Sequence, residues 1–280
     1  MSDKAKRKNG AADLAATPQI DPNGRSTQRS PPTDQPSILK GSQAQLPLCL
    51  RDVTLNNPTV RNKPLLHDVS LRITTAGITT VVGPNGAGKS LTMRLLAGLM
   101  RPTTGSITWD GIQHDQIASQ SITLVLQSPV LLRRSVAANI DYARHLAQHR
   151  NPADRLELLA LAQLTDQANQ PARSLSLGEQ QRLALARALA LSPDILLVDE
   201  PTASLDPAST MHIENILQTI SAAGTKIILV THDLSQARRL ACDIAFMANG
   251  RCVEHTEAIE FLSGPTSREA QAYVSGKPVG

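Results

Sequence analysis

Short apolar runs alternate with longer amphipathic stretches from Leu46 to the C-terminal part of the chain. Runs of mostly apolar residues predict strands, and apolar residues at three- and four-residue spacing predict helices. Several runs are rich in Ile, Leu and Val, which is typical of parallel strands covered on both faces. The pattern therefore predicts an α/β fold, with strands at 48–55, 69–73, 78–82, 122–126, 195–198 and 227–230 and helices at 90–99, 155–164, 177–191 and 207–223.

The first 45 residues differ in composition from the remainder of the 280-residue chain. They are rich in Pro, Ser, Gln, Asn and charge and have few large apolar groups, so we predict a disordered tail over 1–45. This tail carries +3 of the formal net charge of +4, which leaves the remainder nearly neutral. A nucleic-acid partner is therefore not indicated. No run approaches the roughly 18 apolar residues of a membrane span.

A glycine-rich segment, GPNGAGKS, follows the predicted strand 78–82. It fits the pattern G-x-x-x-x-G-K-[ST], in which small residues let backbone N–H groups surround phosphate oxygens. Lys89 supplies a charge for the β and γ phosphates, and the hydroxyl of Ser90 can ligate Mg²⁺. The sequence thus predicts a nucleotide site made of Gly83, Pro84, Asn85, Gly86, Ala87, Gly88, Lys89, Ser90 and Leu91.

Polar side chains also follow the other predicted parallel strands. Because the ligand crevice of an open parallel sheet lies at the carboxyl ends of its strands, we expect Gln127, Asp199, Glu200 and His232 to meet the glycine-rich segment there. Asp199 suits the binding of Mg²⁺, and Glu200 suits the orientation or deprotonation of a water molecule that attacks the γ-phosphate.

The segment 172–191 predicts a well-capped amphipathic helix. Ser176 is a good N-cap, and Glu179 lies three residues later in capping-box register. Capping leaves Gly178 without an explanation.

In order along the chain, these segments resemble the nucleotide-binding subunit of ABC transporters. GPNGAGKS is similar to the Walker A motif, ILLVDEP to Walker B and LSLGEQQR to the family signature. Ser204, Leu205 and Asp206 correspond to the D-loop, Gln127 to the Q-loop and His232 to the switch histidine. The resemblance implies a P-loop NTPase of the ABC ATPase type over 46–275, with a mixed sheet core, an antiparallel β subdomain, a helical subdomain at about 128–180 and a short tail at 276–280.

The resemblance also implies a mechanism. Two copies form a homodimer around two ATP molecules, so that Ser176, Leu177, Gly178 and Glu179 of one chain face the γ-phosphate held by Lys89 of the other. Glu200, His232 and Lys89 would be catalytic, and Ser90, Gln127 and Asp199 would bind Mg²⁺. Hydrolysis would drive a separate permease at the cytoplasmic face of the cell membrane, and a substrate-binding protein would act only indirectly.

Three departures from the family pattern bear on activity. Leu177 replaces a signature glycine, and we predict that it has negative φ and only tunes the rate. Leu91 replaces a threonine that contacts the α-phosphate in the family, and the sequence leaves open whether Thr92 compensates. No aromatic residue precedes Trp109, so the region near Asn57 lacks the usual adenine-stacking ring. Because stacking contributes about 1–3 kcal/mol, we predict poor discrimination between ATP and GTP.

The amino-acid sequences of 128–143 and 231–255 most resemble those of ATPases of tungstate-type oxyanion importers. Importers of phosphate or polar amino acids are close alternatives. A soluble ABC ATPase that acts without a permease is a further alternative from a different class.

Overall fold

A computed structural model describes residues 46–57, 64–113, 122–147 and 152–279, and the predicted tail over 1–45 lies outside them. The strands are β1 Leu48–Asn56, β2 Pro64–Ile73, β3 Ile78–Val82, β4 Thr104–Trp109, β5 Ile112–Gln113, β6 Ile122–Val125, β7 Ile195–Asp199, β8 Lys226–Val230, β9 Asp243–Ala248 and β10 Arg251–Glu257. The helices are α1 Lys89–Leu96, α2 Val136–Leu146, α3 Arg155–Leu161, α4 Leu177–Leu189, α5 Pro207–Ala222, α6 Leu234–Leu240, α7 Ala258–Ser263 and α8 Arg268–Val274.

The strands form two sheets. The larger has the order β10-β9-β3-β8-β7-β6, in which all pairs are parallel except β10 with β9. The smaller is antiparallel and has the order β2-β1-β4-β5. The mixed α/β fold with an antiparallel part, predicted from the sequence, is therefore confirmed.

The buried strands of the larger sheet separate two hydrophobic clusters. Because successive side chains of a strand point to opposite faces, Leu196 and Val198 join the cluster made with α2, α3, α4 and α5. Ile195 and Leu197 join the cluster made with α1 and the antiparallel sheet. Burial on both faces explains why this strand reads as a continuous apolar run.

Helix ends follow local chemistry. Ser135, Asp154, Asp206 and Ser267 each accept a hydrogen bond from a backbone N–H of the helix that follows. The predicted helices 90–99 and 155–164 end earlier, at residues 96 and 161. The reason is that Gly98 and Gln163, just beyond those ends, have φ of 70° and 54°. Within the described ranges, no helix is both long and apolar enough to cross a membrane.

Candidate active site

The glycine-rich loop between β3 and α1 needs glycine at specific positions. Gly83 has φ of 147°, and a Cβ there would overlap the carbonyl oxygen of Met247 in β9. Gly88 is the N-cap of α1 with φ of 100°, and a Cβ there would overlap the side chain of Leu66. Both residues combine a left-handed backbone with close neighbours, so a side chain would distort the loop.

Lys89 is the first residue of α1, and its side chain folds back against this loop. Its Nζ donates hydrogen bonds to the carbonyl oxygens of Gly83 at 2.8 Å and Pro84 at 3.0 Å. Burial lowers the pKa of the Lys89 ammonium, although Glu200 and Asp199 nearby act in the opposite direction. The loop thus holds a cation in a poorly solvated place, where an anionic phosphate would stabilise it.

Asp199, the last residue of β7, is buried beside the start of α1. Burial raises the pKa of its carboxyl group, whereas a hydrogen bond from Ser90 and the charge of Lys89 lower it. Its Oδ1 atom is buried without a hydrogen-bond partner among the described residues. Carboxylate and hydroxyl oxygens are the ligands that Mg²⁺ prefers, so Ser90 and Asp199 fit a Mg²⁺ ion.

Glu200 and His232 face one another across the ends of β7 and β8. The Nδ1 atom of His232 lies 3.2 Å from Oε2 of Glu200. Glu200 has φ of 44°, an uncommon conformation, and its backbone N–H donates to the carbonyl oxygen of Val230 at 3.0 Å. Its side chain is mostly buried, whereas that of His232 is 59% exposed. This pair can therefore reach a ligand placed over the glycine-rich loop.

Gln127 lies further from the loop in the sheet order. It follows β6, the edge strand, and is exposed. Strands β7 and β8 separate β6 from β3. Gln127 thus lies at the same carboxyl end of the sheet as the glycine-rich loop but is separated from it by two strands. Its role as a Mg²⁺ ligand stays a prediction.

The signature segment begins α4. The predicted capping box is confirmed, since the Ser176 N–H donates to Oε2 of Glu179 at 2.8 Å and the Glu179 N–H donates to Oγ of Ser176 at 3.4 Å. The Ser176 hydroxyl also donates to Glu179 at 2.7 Å, and this bond lowers the pKa of Glu179. Leu177 is the first helical residue and is not among the residues with positive φ, which confirms the predicted negative φ.

The structure explains Gly178, which capping does not. A Cβ at this position would lie 2.6 Å from Oγ and 2.8 Å from Cβ of Ser209 in α5. Glycine is therefore required for the first turns of α4 and α5 to pack closely. The D-loop residues come just before α5: Ser204 has φ of 63°, Leu205 packs on the helical cluster, and Oδ1 of the N-cap Asp206 accepts from the Ser209 N–H at 2.9 Å.

Other contacts could not be read from the sequence. Gln236 in α6 is fully buried, and its amide donates to Oγ1 of Thr202 at 3.0 Å and to Oε1 of Glu214 at 3.2 Å. It links the helix after His232 to the loop after Glu200. Nothing in the local pattern distinguishes Gln236 from a surface glutamine of an amphipathic helix, so only the fold reveals it.

Comparisons with known proteins agree with this geometry. A family model described as "ABC transporter" matches residues 66–203. The methionine import ATP-binding protein MetN of Nocardia farcinica is 36% identical over 226 residues, which cover 76% of this chain and 68% of MetN. The chain belongs to the ABC transporter family. The phosphate import ATP-binding protein PstB 2 of Natronomonas pharaonis is 34% identical over 236 residues, 77% of this ABC chain and 82% of the relative.

Solved structures show the same fold for this ABC ATPase. The dimeric post-hydrolysis structure of the ATP-binding cassette MJ0796, bound to ADP and Pi, is 27% identical with a TM-score of 0.68, covering 75% of this chain and 98% of that one. A bacterial Atm1-family ABC exporter with ATP bound is 26% identical with a TM-score of 0.70 over 84% of this chain, which spans only 43% of the exporter chain. The prediction of an ATP-binding ABC ATPase is thus confirmed.

Proposed function

We propose that this chain is the ATP-hydrolysing subunit of an ABC importer, working as a homodimer around two ATP molecules at the cytoplasmic face of the cell membrane. The observation that carries the catalytic part is the buried Oδ1 of Asp199, which has no hydrogen-bond partner in the described chain and lies beside Ser90 and Lys89. A buried polar atom left in this state costs free energy until a ligand satisfies it.

Each residue of the site then has a task. Lys89 and the backbone of the glycine-rich loop hold the phosphates, and Ser90 and Asp199 hold Mg²⁺. The ion supplies positive charge that stabilises the transferring phosphoryl group. Glu200 orients or deprotonates the attacking water molecule, and His232 contacts the γ-phosphate from beside Glu200. Its 3.2 Å contact with Glu200 supports this assignment.

The dimer would complete the site from the partner copy. Ser176 is the N-cap and Gly178 the second residue of the 13-residue helix α4, whose positive dipole end suits a γ-phosphate. The dimeric structure of MJ0796 with ADP and Pi supports this proposal. The D-loop, which caps the helix packed against Gly178, would lie close to the same interface.

A groove at the β6 edge of the sheet is the proposed docking place for the permease. It encloses about 230 Å³ between β6, α2 and α4. Its apolar rim includes Val130, Tyr142 and Leu146, which are 76%, 42% and 54% exposed. Arg187 lines the groove, with Nη1 donating to the carbonyl oxygen of Val130 at 2.7 Å and a buried Nε that has no partner among the described residues. An amphipathic cytoplasmic helix of the permease that carries a carboxylate would fit this surface.

For the cargo we propose an oxyanion of the tungstate type. Phosphate and amino acids remain alternatives, because the relatives named for phosphate and methionine import are similar to this chain to almost the same degree. The cassette itself touches no cargo in this mechanism, so its site residues cannot distinguish these substrates.

Two variants test the ATPase part. Lys89→Ala should lose nucleotide binding, whereas Glu200→Gln should bind ATP, dimerise and hydrolyse it very slowly. Light scattering after size exclusion measures the dimer, and phosphate release measures turnover. Normal turnover of Glu200→Gln would contradict the role of Glu200. A Glu200→Gln protein that stays monomeric with ATP and Mg²⁺ would contradict the dimer.

A second pair of variants tests the permease part. Val130→Arg in the groove should abolish co-purification with a membrane protein and the stimulation of ATPase activity by it. Ile259→Arg, at an 81% exposed position of α7 near the opposite edge of the sheet, is the matched control and should keep both. In reconstituted vesicles, binding protein loaded with tungstate, phosphate or methionine identifies the cargo by which one accelerates hydrolysis. If no membrane protein is recovered with the unaltered chain, the alternative of an ATPase without a permease is favoured.

A further inference from the structure

Aromatic side chains are scarce in this chain, and most of them meet at one place. The sequence has one Trp, two Tyr and two Phe. Phe246 of β9 packs against Phe261 of α7 at 5.9 Å between ring centroids and against Tyr273 of α8 at 5.3 Å. The C-terminal helices are therefore anchored on the larger sheet by rings, and Tyr273 is held in a defined position.

The hydroxyl of Tyr273 reaches two segments of the active site. It donates to the carbonyl oxygen of His232 at 3.4 Å. The backbone N–H of Gly83, the first residue of the glycine-rich loop, lies close enough to the Tyr273 oxygen to lower the pKa of the phenol. Gly83 follows β3 and His232 lies just after β8, and these two strands are neighbours in the sheet. The hydroxyl of Tyr273 in α8 therefore lies beside both loops, that after β3 and that after β8.

The phenol of Tyr273 is a hydrogen-bond donor at neutral pH, as any tyrosine is, and burial raises its pKa further. His232 depends on such support because its side chain is 59% exposed and its ring is held by a contact with Glu200. The position of the imidazole ring is therefore determined mainly by the backbone of His232. The backbone of the next residue is also held locally, since the Asp233 N–H donates to Oγ1 of Thr231 at 3.0 Å.

We propose that Tyr273 is a positioning residue for ATP hydrolysis, which fixes the backbone of His232 relative to the start of the glycine-rich loop. This inference rests on the role proposed above for His232. It assigns the C-terminal helices a part in turnover: any movement of α8 would change the position of His232 without touching nucleotide.

Tyr273→Phe tests this with the smallest change, because phenylalanine keeps the ring against Phe246 and removes only the hydroxyl. We expect kcat to fall about fivefold, the size given by one neutral hydrogen bond, with KM for ATP within about twofold. KM is expected to hold because the contacts of Lys89 with Gly83 and Pro84 do not involve Tyr273. Amide exchange of Gly83, followed by NMR in the full chain, should become faster.

Gln271→Ala is the matched control. It removes a hydrogen bond from the same helix, that of the Gln271 amide to the carbonyl oxygen of Pro265 at 2.9 Å, and should leave kcat and Gly83 exchange unchanged. If Gln271→Ala lowered kcat as much as Tyr273→Phe does, general loosening of α8 would explain the effect and the inference would be wrong.

A double-mutant cycle with His232→Ala decides whether Tyr273 acts through His232. We expect Tyr273→Phe to add less than a twofold loss of kcat in the His232→Ala background. A full additional fivefold loss there would overturn the inference, as would an unchanged kcat of Tyr273→Phe alone. If His232→Ala itself hydrolyses ATP at the normal rate, the role proposed for His232 fails, and the inference with it.

Discussion

Lys226 provides a quantitative test of the buried polar groups in the larger sheet. Its side chain is about 1% exposed at the start of β8, and Nζ donates to Oγ1 of Thr79 at 2.7 Å. Thr79 donates to Oδ1 of Asp243 at 2.6 Å, and Nε2 of His255 lies 2.7 Å from Oδ2 of the same carboxylate. Burial lowers the pKa of Lys226 to about 8, while Asp243 and Cys242 oppose the shift.

The sign of the pH dependence follows from this depressed pKa. Between pH 8 and the ordinary value of 10.5, the unfolded chain binds a proton that the folded chain has lost. The free energy of unfolding therefore rises with pH across this window, by about 3 kcal/mol in total at 1.36 kcal/mol per pKa unit. About 1 kcal/mol of this rise falls between pH 7.5 and 9 by the same linkage relation.

Cys252 acts in the opposite direction at higher pH. Burial raises the pKa of its thiol to about 11, so its contribution to stability decreases as pH rises above 9. The comparison of two proteins that both contain Cys252 cancels this effect. We therefore predict that Lys226→Met removes the rise of about 1 kcal/mol, relative to the unaltered chain, between pH 7.5 and 9.

Urea unfolding at several pH values in this range measures the difference. Lys277→Met, at an exposed position of the C-terminal segment, is the control and should keep the pH dependence of the unaltered chain. Parallel stability curves for Lys226→Met and the unaltered chain would refute the reasoning, because they would show that Lys226 does not change its proton binding on folding.

Three further predictions concern the departures from the family pattern. Leu177→Gly should change ATPase activity by less than about tenfold, because Leu177 already has helical backbone angles, and a rise of orders of magnitude in a phosphate-release assay would contradict this. Leu91→Thr should tighten ATP binding by about tenfold or more, since the hydroxyl of Thr92 is buried against the carbonyl oxygen of Gly88 at 3.1 Å and cannot compensate. Calorimetric titration measures this, and weaker ATP binding by Thr92→Val would show that Thr92 does compensate. ATP and GTP should compete within about tenfold of each other, because the sequence has no aromatic residue before Trp109 to stack on adenine; a strong preference for ATP would count against this.

The parts of the site predicted from sequence are those whose chemistry is local. The glycine-rich loop, the carboxylates after β7 and the capping box of α4 each place their residues within a few positions of one another. The local apolar pattern also predicted the central strands, because strands buried on both faces consist of continuous apolar runs.

The parts that were missed depend on distant partners. Strand β9 begins with the buried Asp243, which no apolar pattern predicts, and its carboxylate is satisfied by Thr79, 164 residues away. Gly178 likewise depends on Ser209, and Tyr273 on Gly83 and His232. A single sequence shows which residues are unusual for their position, but it does not show which distant residue will contact them.

The two ends of the parallel strands show why burial of charge alone does not locate function. At the amino ends, Lys226 and Asp243 are as buried as any group of the active site, yet hydrogen bonds with Thr79 and His255 satisfy them. At the carboxyl ends, Asp199 is also buried, but its Oδ1 has no partner in the described part of the chain. A satisfied buried network stabilises one arrangement of strands, whereas the unsatisfied oxygen of Asp199 carries a cost that a bound ligand would offset. Buried charge is therefore common to both ends of the sheet, and an unsatisfied carboxylate oxygen beside Ser90 and Lys89 is what marks the carboxyl end as the candidate site.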